Sequence, residues 1–357
     1  MWAIGGILIY LAINKEMEPS LLLPMGFGAI LVNIPMSGAI TQIIDGAKEI
    51  GVLNVLFDGG IANELFPLLL FIGIGAMIDF EPLLTNPKLM LFGAAAQFGI
   101  FATLVGASLL GFPLKDAASI AIIGAADGPT SIFVANYLHS NFLGPIIIAA
   151  YSYMALVPIV QPPIIKLLTT KKERMIRMEY TGSSVNKTTK ILFPIIVTVI
   201  AGVFAPRSVA LVGFLMFGNL IRECGVLGSL SETAQKVLAN LITLLLGLPV
   251  AANMQAESFL TLRTLMILAL GLFAFIFDTA GGVVFGKFIN LFTKKKVNPM
   301  IGAAGISAFP MASRVVHKMG LAEDKTNHLL MHAAGANVAG QIASVIAGGV
   351  LLSLIVK

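Results

Sequence analysis

Long, continuous apolar stretches occupy most of the chain, and they restrict it to a membrane fold. The 357 residues are 57% hydrophobic and 11% charged, whereas a soluble domain carries about 25% charged residues. A membrane β-barrel would instead show alternating segments of about ten residues. We therefore predict an all-α polytopic membrane protein that contacts the lipid bilayer along much of its length.

Composition and short motifs exclude several other classes. The net charge of +5 is concentrated in loops, so it reports orientation in the membrane, and we expect no nucleic-acid partner. The single cysteine, Cys224, excludes an intramolecular disulfide. His328 and His332 are four residues apart, but no carboxylate or cysteine completes a ligand set, so we expect no transition-metal site. Residues 1–13 lack a basic start and a cleavage pattern, and they predict a short first span, not a signal peptide.

One short motif occurs in both halves of the chain. Ile123-Gly-Ala-Ala is followed by Asp127, and 178 residues later Ile301-Gly-Ala-Ala is followed by Gly305. Glycine, proline and polar residues interrupt the apolar pattern around both copies, which is typical of helices that are broken within the membrane. The recurrence indicates an internal duplication.

The charges of the loops predict the orientation of the chain. The loop at 170–190 is markedly basic, and the positive-inside rule places it in the cytoplasm. Its cations are Lys171, Lys172, Arg174, Arg177, Lys187 and Lys190, against Glu173 and Glu179. A second basic cluster, Lys294–Lys296, follows after an even number of predicted crossings and therefore falls on the same side.

We predict two membrane repeats joined by a linker. The first repeat covers 1–169, the linker 170–188, and the second repeat 189–357. If the broken segments at about 117–138 and 298–319 are re-entrant hairpins, each repeat has about five transmembrane helices and the two repeats are inverted. Secondary transporters are built on this plan.

Asp127 is the strongest candidate for chemistry. A carboxylate in a membrane segment costs at least about 2.5 kcal/mol even on lenient scales, so it normally pairs, faces a cavity or binds an ion. The hydroxyls of Thr130 and Ser131 are oxygen ligands of the kind that hard cations prefer. Asp127 could also cap the second half of a broken helix, and that role is compatible with ion binding.

The second broken segment and the helix after it supply further candidates. Asn298, Gly302 and Ser307 accompany the repeated motif. Arg314 has a planar fork suited to a carboxylate, although it could only mark where the hairpin leaves the membrane. Asn337, which stands among small residues, could complete an ion site or merely bridge two helices.

Two other features are open to more than one interpretation. A tyrosine of the run Tyr151-Ser-Tyr153 could donate a proton near Asp127 or could be an interfacial anchor. Asp278, a second carboxylate in an apolar run, could be a second ion or proton site, or a partner of Arg314.

Three strings of residues carry a resemblance to a known family. They are Gly124-Ala-Ala-Asp-Gly-Pro-Thr-Ser131, Tyr151-Ser-Tyr153 with Gln161-Pro-Pro163, and Asn298-Pro-Met-Ile-Gly-Ala-Ala-Gly-Ile-Ser-Ala-Phe-Pro310 with Ser313-Arg-Val-Val316. Over nearly its whole length the chain resembles the β-subunit of the sodium-translocating biotin-dependent decarboxylases. That family serves the decarboxylation of oxaloacetate, methylmalonyl-CoA and glutaconyl-CoA in bacteria and archaea.

The resemblance implies a function. In the family a carboxyltransferase α-subunit transfers CO2 to biotin on a carrier, and the β-subunit decarboxylates carboxybiotin, exports Na+ and consumes a proton. Na+ and carboxybiotin on a partner subunit are therefore the expected cofactors. The expected partners are the biotinylated carrier, the α-subunit, a small membrane γ- or δ-type subunit and further copies of this chain. The expected location is the cytoplasmic membrane of a bacterium or archaeon.

The resemblance also implies roles for individual residues. Asp127 would be the central Na+-binding and proton-linked residue, and Tyr153, in preference to Tyr151, would be the proton participant. The residues of the facing hairpin and helix would be Asn298, Gly302, Ser307, Arg314 and Asn337. With the hydroxyls found from the residues themselves, the predicted Na+ site consists of Asp127, Thr130, Ser131, Asn298, Gly302, Ser307 and Asn337, and we expect Arg314 to meet the carboxylate of the substrate.

The residues by themselves leave a rival function open. A stand-alone Na+ symporter or Na+/H+ antiporter would have the same broken helices and the same carboxylate near the midplane. Dependence on a biotinylated subunit is the property that separates the two functions.

Overall fold

The computed structural model of the chain describes residues 1–44, 46–179 and 185–355. Residues 180–184 of the predicted linker lie outside the described residues, as do Asp45 and the last two residues of the second predicted repeat.

Helices dominate both halves of the described chain. The helices of the first half are α1 (Trp2–Asn14), α2 (Pro19–Leu31), α3 (Val52–Leu56), α4 (Leu65–Met77), α5 (Glu81–Thr85), α6 (Met90–Ala96), α7 (Phe98–Leu109), α8 (Leu114–Ala121), α9 (Gly128–Tyr137) and α10 (Leu143–Leu168). Those that follow are α11 (Lys171–Arg174), α12 (Lys187–Phe204), α13 (Val209–Glu223), α14 (Gly228–Glu232), α15 (Ala239–Val250), α16 (Ala256–Phe259), α17 (Leu262–Phe292), α18 (Met300–Ala303), α19 (Met311–Glu323) and α20 (Leu330–Ile355). Short 3₁₀ turns lie at Pro87–Leu89, Ile122–Ala125, Pro206–Ser208 and Ala251–Asn253, and π-helical turns at Phe57–Ile61 and Thr233–Leu238.

The described helices suit a membrane protein. Six of them, counting helices that continue through a short turn, are long and apolar enough to cross a membrane, or up to seven if a bent helix pair is counted as one span. The apolar helices α1 and α2 are shorter. The prediction of a mostly helical membrane protein is confirmed, while the predicted number of crossings stays a prediction.

One small element departs from the all-α prediction. Strands β1 (Gln42–Ile44) and β2 (Ala47–Glu49) pair as an antiparallel ribbon. Gly46, at φ 81°, lies in the connecting turn. The Asp45-Gly46 dipeptide is a strong short-range hairpin signal that the apolar pattern does not register.

The first broken segment forms two short helices, α8 and α9, which we call the first hairpin. A 3₁₀ turn follows α8, and Ala126 then takes a left-handed conformation with φ 53°, so the helix ends there. Asp127 is extended, and Pro129 lies in the first turn of α9, where its missing N–H is not needed. The carboxylate therefore sits at an interruption of the helix.

Both ends of the first hairpin meet at Asp116. Its Oδ1 accepts hydrogen bonds from Ser140 Oγ at 2.7 Å and from the Asn141 backbone N–H at 3.1 Å. Since Asp116 precedes the hairpin tip and Ser140 follows it, the two ends of the hairpin lie side by side.

Helices α18 and α19 form the second hairpin, and both of its ends meet at Arg174. The carbonyl oxygen of Arg174 accepts hydrogen bonds from Asn298 Nδ2 at 2.8 Å and from Asn327 Nδ2 at 3.0 Å. Asn141 directly precedes helix α10 and Arg174 follows it, and α10 has 26 residues, a length of about 39 Å. The two hairpins are therefore anchored near opposite ends of α10.

The linker is fastened to the second hairpin by ion pairs. Arg174 pairs with Glu323 at 2.6 Å, and Arg177 pairs with Asp324 at 2.6 Å. The backbone N–H and the hydroxyl of Thr326, followed by the Arg177 guanidinium, lower the pKa of the Asp324 carboxyl to about 2. Asp324 is therefore charged at any physiological pH, and its pair with the linker persists.

The tips of the two hairpins touch each other. The backbone N–H of Ser307 donates to the carbonyl of Ala125 at 3.1 Å. From α10, Gln161 Nε2 donates to the Ala303 carbonyl at 2.7 Å. The first copy of the repeated motif thus contacts the segment that directly follows the second copy, in the interior of the protein.

Candidate functional site

The Asp127 side chain lies at the meeting point of the hairpin tips. It is 3% exposed. Its Oδ2 accepts hydrogen bonds from Thr130 Oγ1 at 2.6 Å, Gln341 Nε2 at 3.0 Å and Ser344 Oγ at 3.5 Å. The hydrogen-bond donors of this carboxylate therefore come from both the first hairpin and helix α20.

Two serines hold the surroundings of Asp127 in place. Ser131 Oγ donates to the backbone carbonyl of Asp127 at 2.8 Å, so it secures the first turn of α9. Ser307, from the tip of the second hairpin, bonds the hydroxyl of Ser344 and the carbonyl of Gly340. Through Ser344, the second hairpin contacts the same carboxylate oxygen.

Helix α20 contributes a face that the sequence only partly revealed. Asn337 Nδ2 donates to the Ile306 carbonyl at 2.6 Å, and its buried Oδ1 has no hydrogen-bond partner within the part of the chain that the structure describes. Gln341 and Ser344, absent from our sequence-based site, lie four and seven residues further on, which places all three on one helix face. This spacing from Asn337 is the feature of the sequence that could have identified Gln341 and Ser344.

A cavity of about 270 Å³, the central cavity, lies against Asp127. Its oxygen-bearing lining includes Asp127, Tyr151, Ser307 and Gln341. A water molecule occupies about 30 Å³ in the liquid, so the space is sufficient for a small hydrated cation. The arrangement can bind a hard cation through a carboxylate, hydroxyl and amide oxygens.

Of the two tyrosines, Tyr151 lines the central cavity. Its ring packs against Gly128, where a Cβ would overlap it, and its buried hydroxyl has no hydrogen-bond partner among the described residues. Tyr153 points away, toward α17, and its hydroxyl donates to the Leu268 carbonyl at 2.5 Å. The structure thus places Tyr151, and not the favoured Tyr153, in the cavity that Asp127 lines.

Asn298 and Gly302 do not lie at the Asp127 carboxylate. Asn298 anchors the base of the second hairpin at the linker. Gly302 is in direct contact with the backbone of Gly282 in α17, where a Cβ on either residue would overlap the other's carbonyl oxygen.

Asp278, in α17, lies between α7 and the first hairpin. Its Oδ1 accepts a hydrogen bond from the Ile100 backbone N–H at 3.2 Å, close to the start of α7. Its Oδ2 has no hydrogen-bond partner among the described residues and lies where a Cβ on Gly124 would be. Its contacts are therefore with α7 and with the 3₁₀ turn that precedes Asp127.

Arg314 belongs to a different cavity. This outer cavity has a volume of about 720 Å³ and lies between the α1–α2 connection, α10 and α19. Its cationic lining consists of Lys15, Arg314 and Lys318, and its acidic lining of Glu16 and Glu18. The cations outnumber the carboxylates, so the cavity can hold an anionic ligand, and it lies beside a central cavity that suits a cation.

The chain is a helical membrane protein, and two broken hairpins that meet at a buried carboxylate are a pattern typical of transport proteins. The family described as the Na+-transporting oxaloacetate decarboxylase beta subunit matches residues 1–355. The chain belongs to this family.

Named relatives agree with this assignment. The chain is 49% identical to the methylmalonyl-CoA decarboxylase subunit beta of Propionigenium modestum, with 99% of this chain and 94% of the relative covered. It is 49% identical to the glutaconyl-CoA decarboxylase subunit beta of Acidaminococcus fermentans, with 99% and 92% covered. The oxaloacetate decarboxylase beta chain of Klebsiella pneumoniae is 44% identical, with 99% and 94% covered. The predicted resemblance is confirmed: the chain is a decarboxylase beta subunit of the Na+-transporting family.

Proposed function

We propose that the chain decarboxylates carboxybiotin on a partner subunit and couples this reaction to Na+ export, with consumption of a proton. The observation that carries the proposal is the pair of neighbouring cavities, one with the Asp127 carboxylate and one with the Arg314 guanidinium. Breaking the bond between the biotin nitrogen and the carboxyl carbon releases CO2, leaves the electron pair on nitrogen, and requires a proton there.

The Na+ site of the proposal centres on Asp127. Thr130, Ser307 and the unpartnered Oδ1 of Asn337 supply neutral oxygens close to it, and Ser131 fixes the turn. Asn298 and Gly302, which the resemblance included, act through the position of the second hairpin. Asp278 remains a candidate for a second ion or proton site because one of its oxygens is unpartnered.

Carboxybiotin would bind in the outer cavity. Arg314 can hold its carboxylate with two parallel hydrogen bonds, and Lys15 and Lys318 add positive charge. The cavity lies on the side of the second hairpin that carries the basic linker, so the partner subunits would approach from the cytoplasm. The biotinylated carrier, the carboxyltransferase α-subunit and a γ- or δ-type subunit are the proposed partners, with several copies of this chain in the assembly.

The hairpins suggest how the site alternates between the two sides. Because they are anchored near opposite ends of α10, we propose two inverted repeats, 1–169 and 189–357, with the loop 170–190 in the cytoplasm. Coupling requires that Na+ and carboxybiotin each bind the inward-facing and outward-facing states with different affinity. A proton displaced from the region of Asp127 would serve the decarboxylation. Tyr153 can take part in that proton transfer only if its hydroxyl first breaks its hydrogen bond to the Leu268 carbonyl.

Proteoliposomes that contain the complete complex test the proposed function. Transfer of a carboxyl group to the biotin carrier, followed by its decarboxylation by this chain, should drive Na+ uptake into vesicles whose cytoplasmic face is outward. Avidin should stop both decarboxylation and uptake. Na+ flux by this chain alone that is insensitive to avidin would favour the rival carrier function.

Replacing Tyr151 with phenylalanine is expected to weaken Na+ binding. The change removes only the hydroxyl that faces the central cavity and keeps the ring against Gly128. A hydrogen bond to a charged group contributes about 1.5–3 kcal/mol, so we expect the Na+ concentration for half-maximal activity to rise about tenfold or more. The exposed Tyr137, at the end of α9, provides the matched Tyr→Phe control. An unchanged Na+ dependence in Tyr151→Phe would exclude its hydroxyl from the site.

Replacing Arg314 with lysine is expected to impair use of the carboxylated carrier. Lysine keeps the charge but lacks the planar fork, so decarboxylation at low carrier concentration should fall about tenfold or more. Equilibrium Na+ binding to the complex should stay within about twofold, because Arg314 is outside the central cavity. The exposed Arg263, which lies over the Phe142 ring, provides an Arg→Lys control. Equal loss of Na+ binding and decarboxylation would contradict the separation of the two cavities.

A further inference from the structure

Glu18 stands between the two cavities. It lies at the connection of α1 and α2, where α2 begins. Among the described residues that line the central and outer cavities, Glu18 alone is common to both. No motif of the sequence indicated Glu18, and its carboxylate has no role in the proposed Na+ site or in the proposed binding of carboxybiotin.

The backbone around Glu18 is specialised. Its φ is 38°, in the left-handed region that few non-glycine residues adopt. Its carbonyl accepts the backbone N–H groups of Leu21 at 3.0 Å and Leu22 at 2.9 Å, so its main chain starts α2. Left-handed backbone at a non-glycine residue costs of order 1–3 kcal/mol and is concentrated at functional positions.

The side chain of Glu18 is mostly buried but has no fixed partner. None of the described residues forms an ion pair with its carboxylate within 4.0 Å or a hydrogen bond to it. The Arg314 guanidinium lines the same outer cavity as Glu18. Glu18 therefore faces a cationic cavity on one side and the cavity of Asp127 on the other, and its carboxylate is available to a mobile ion.

We propose that Glu18 is the gate through which Na+ passes from the outer cavity to Asp127, an inference that rests on the proposed function. A cation that crosses a cavity lined by Lys15, Arg314 and Lys318 is repelled, and a carboxylate at its inner end lowers that barrier. When the carboxylate of the substrate engages Arg314, it neutralises part of the positive charge of the outer cavity, and the repulsion of Na+ there falls. The Glu18 carboxylate then binds the incoming Na+. Arrival of the substrate thereby opens the path for the ion.

The test compares the rate and the equilibrium of Na+ binding. The purified complete complex, with the carrier carboxylated, is incubated with radioactive Na+, and both the amount bound and the rate of exchange are measured. Glu18→Gln should bind as much Na+ at saturation as the wild type but exchange it at least tenfold more slowly. Without the carboxyl group on the carrier, wild type and Glu18→Gln should exchange at similar slow rates.

Glu16→Gln is the matched control. Glu16 is two residues away, is also left-handed with φ 51°, and lines only the outer cavity. Its exchange rate should equal that of the wild type. The proposed gate would be wrong if Glu18→Gln exchanged Na+ at a rate within twofold of the wild type. It would also be wrong if Glu16→Gln slowed the exchange equally.

The same measurement separates this inference from the proposed function. If Asp127→Asn still binds Na+ with wild-type affinity, the proposed ion site is wrong. If Asp127→Asn loses binding while Glu18→Gln exchanges normally, the ion site stands and only the gate is wrong. Glu18→Asp, which keeps the charge on a shorter side chain, should restore part of the exchange rate, whereas a purely structural role of the side chain would leave it as slow as in Glu18→Gln.

Discussion

Replacing Asp127 with asparagine is expected to abolish Na+ uptake and carboxybiotin decarboxylation together. The substitution keeps the size of the side chain and removes its charge. Loss of one partner of a buried charge pair costs about 3–5 kcal/mol, so affinity for Na+ should fall by about 10²-fold to nearly 10⁴-fold. Because the proposed coupling links ion binding to decarboxylation, both activities should fall by a similar factor.

Proteoliposomes that contain the complete complex supply the measurement, with Na+ uptake and CO2 release recorded on the same sample. Asp116→Asn is the matched control, because Asp116 belongs to the same hairpin but bonds Ser140 and Asn141 at its far end. That variant should keep the Na+ dependence of the wild type. Coupled transport at a normal rate in Asp127→Asn would show that the ion binds elsewhere.

The centre of the candidate site could be predicted from the sequence because local rules apply there. Asp127 stands out as a charge in an apolar stretch, and Thr130 lies one helical turn away from it. The proline and glycine that follow Asp127 mark the interruption of the helix. These features depend on neighbours along the chain, so a pattern of residues is sufficient to find them.

The rest of the site depends on contacts between distant segments. Gln341 and Ser344 reach Asp127 only because α20 packs beside the first hairpin with one particular face toward it. The sequence of an almost entirely apolar helix does not indicate which face that is. The choice between Tyr151 and Tyr153 depends on how α10 is rotated, since side chains two residues apart point about 200° apart on a helix. Glu18 and Arg314 line one cavity only because the connection of α1 and α2 lies beside α10 and α19.

Gly302 shows why a residue can be necessary without being a ligand. Alanine at Gly302 would place its Cβ against the Gly282 carbonyl oxygen, and alanine at Gly282 would overlap the Gly302 carbonyl oxygen. Both partners are backbone atoms, which cannot rotate away as the end of a side chain can. Overpacking of a close contact costs about 1–3 kcal/mol and more when the backbone has to move.

We therefore expect Gly302→Ala and Gly282→Ala to lower the melting temperature of the purified complex to a similar extent, and to impair transport together. Gly106→Ala is the control, since a Cβ there meets nothing within 4 Å and alanine favours a helix over glycine. Thermal unfolding and equilibrium Na+ binding are measured on all three variants. If the Gly302 carbonyl were instead an ion ligand that alanine displaces, Gly302→Ala alone would lose Na+ affinity, while Gly282→Ala would keep it. Equal effects of the two substitutions place the contribution of Gly302 in the packing of the second hairpin against α17.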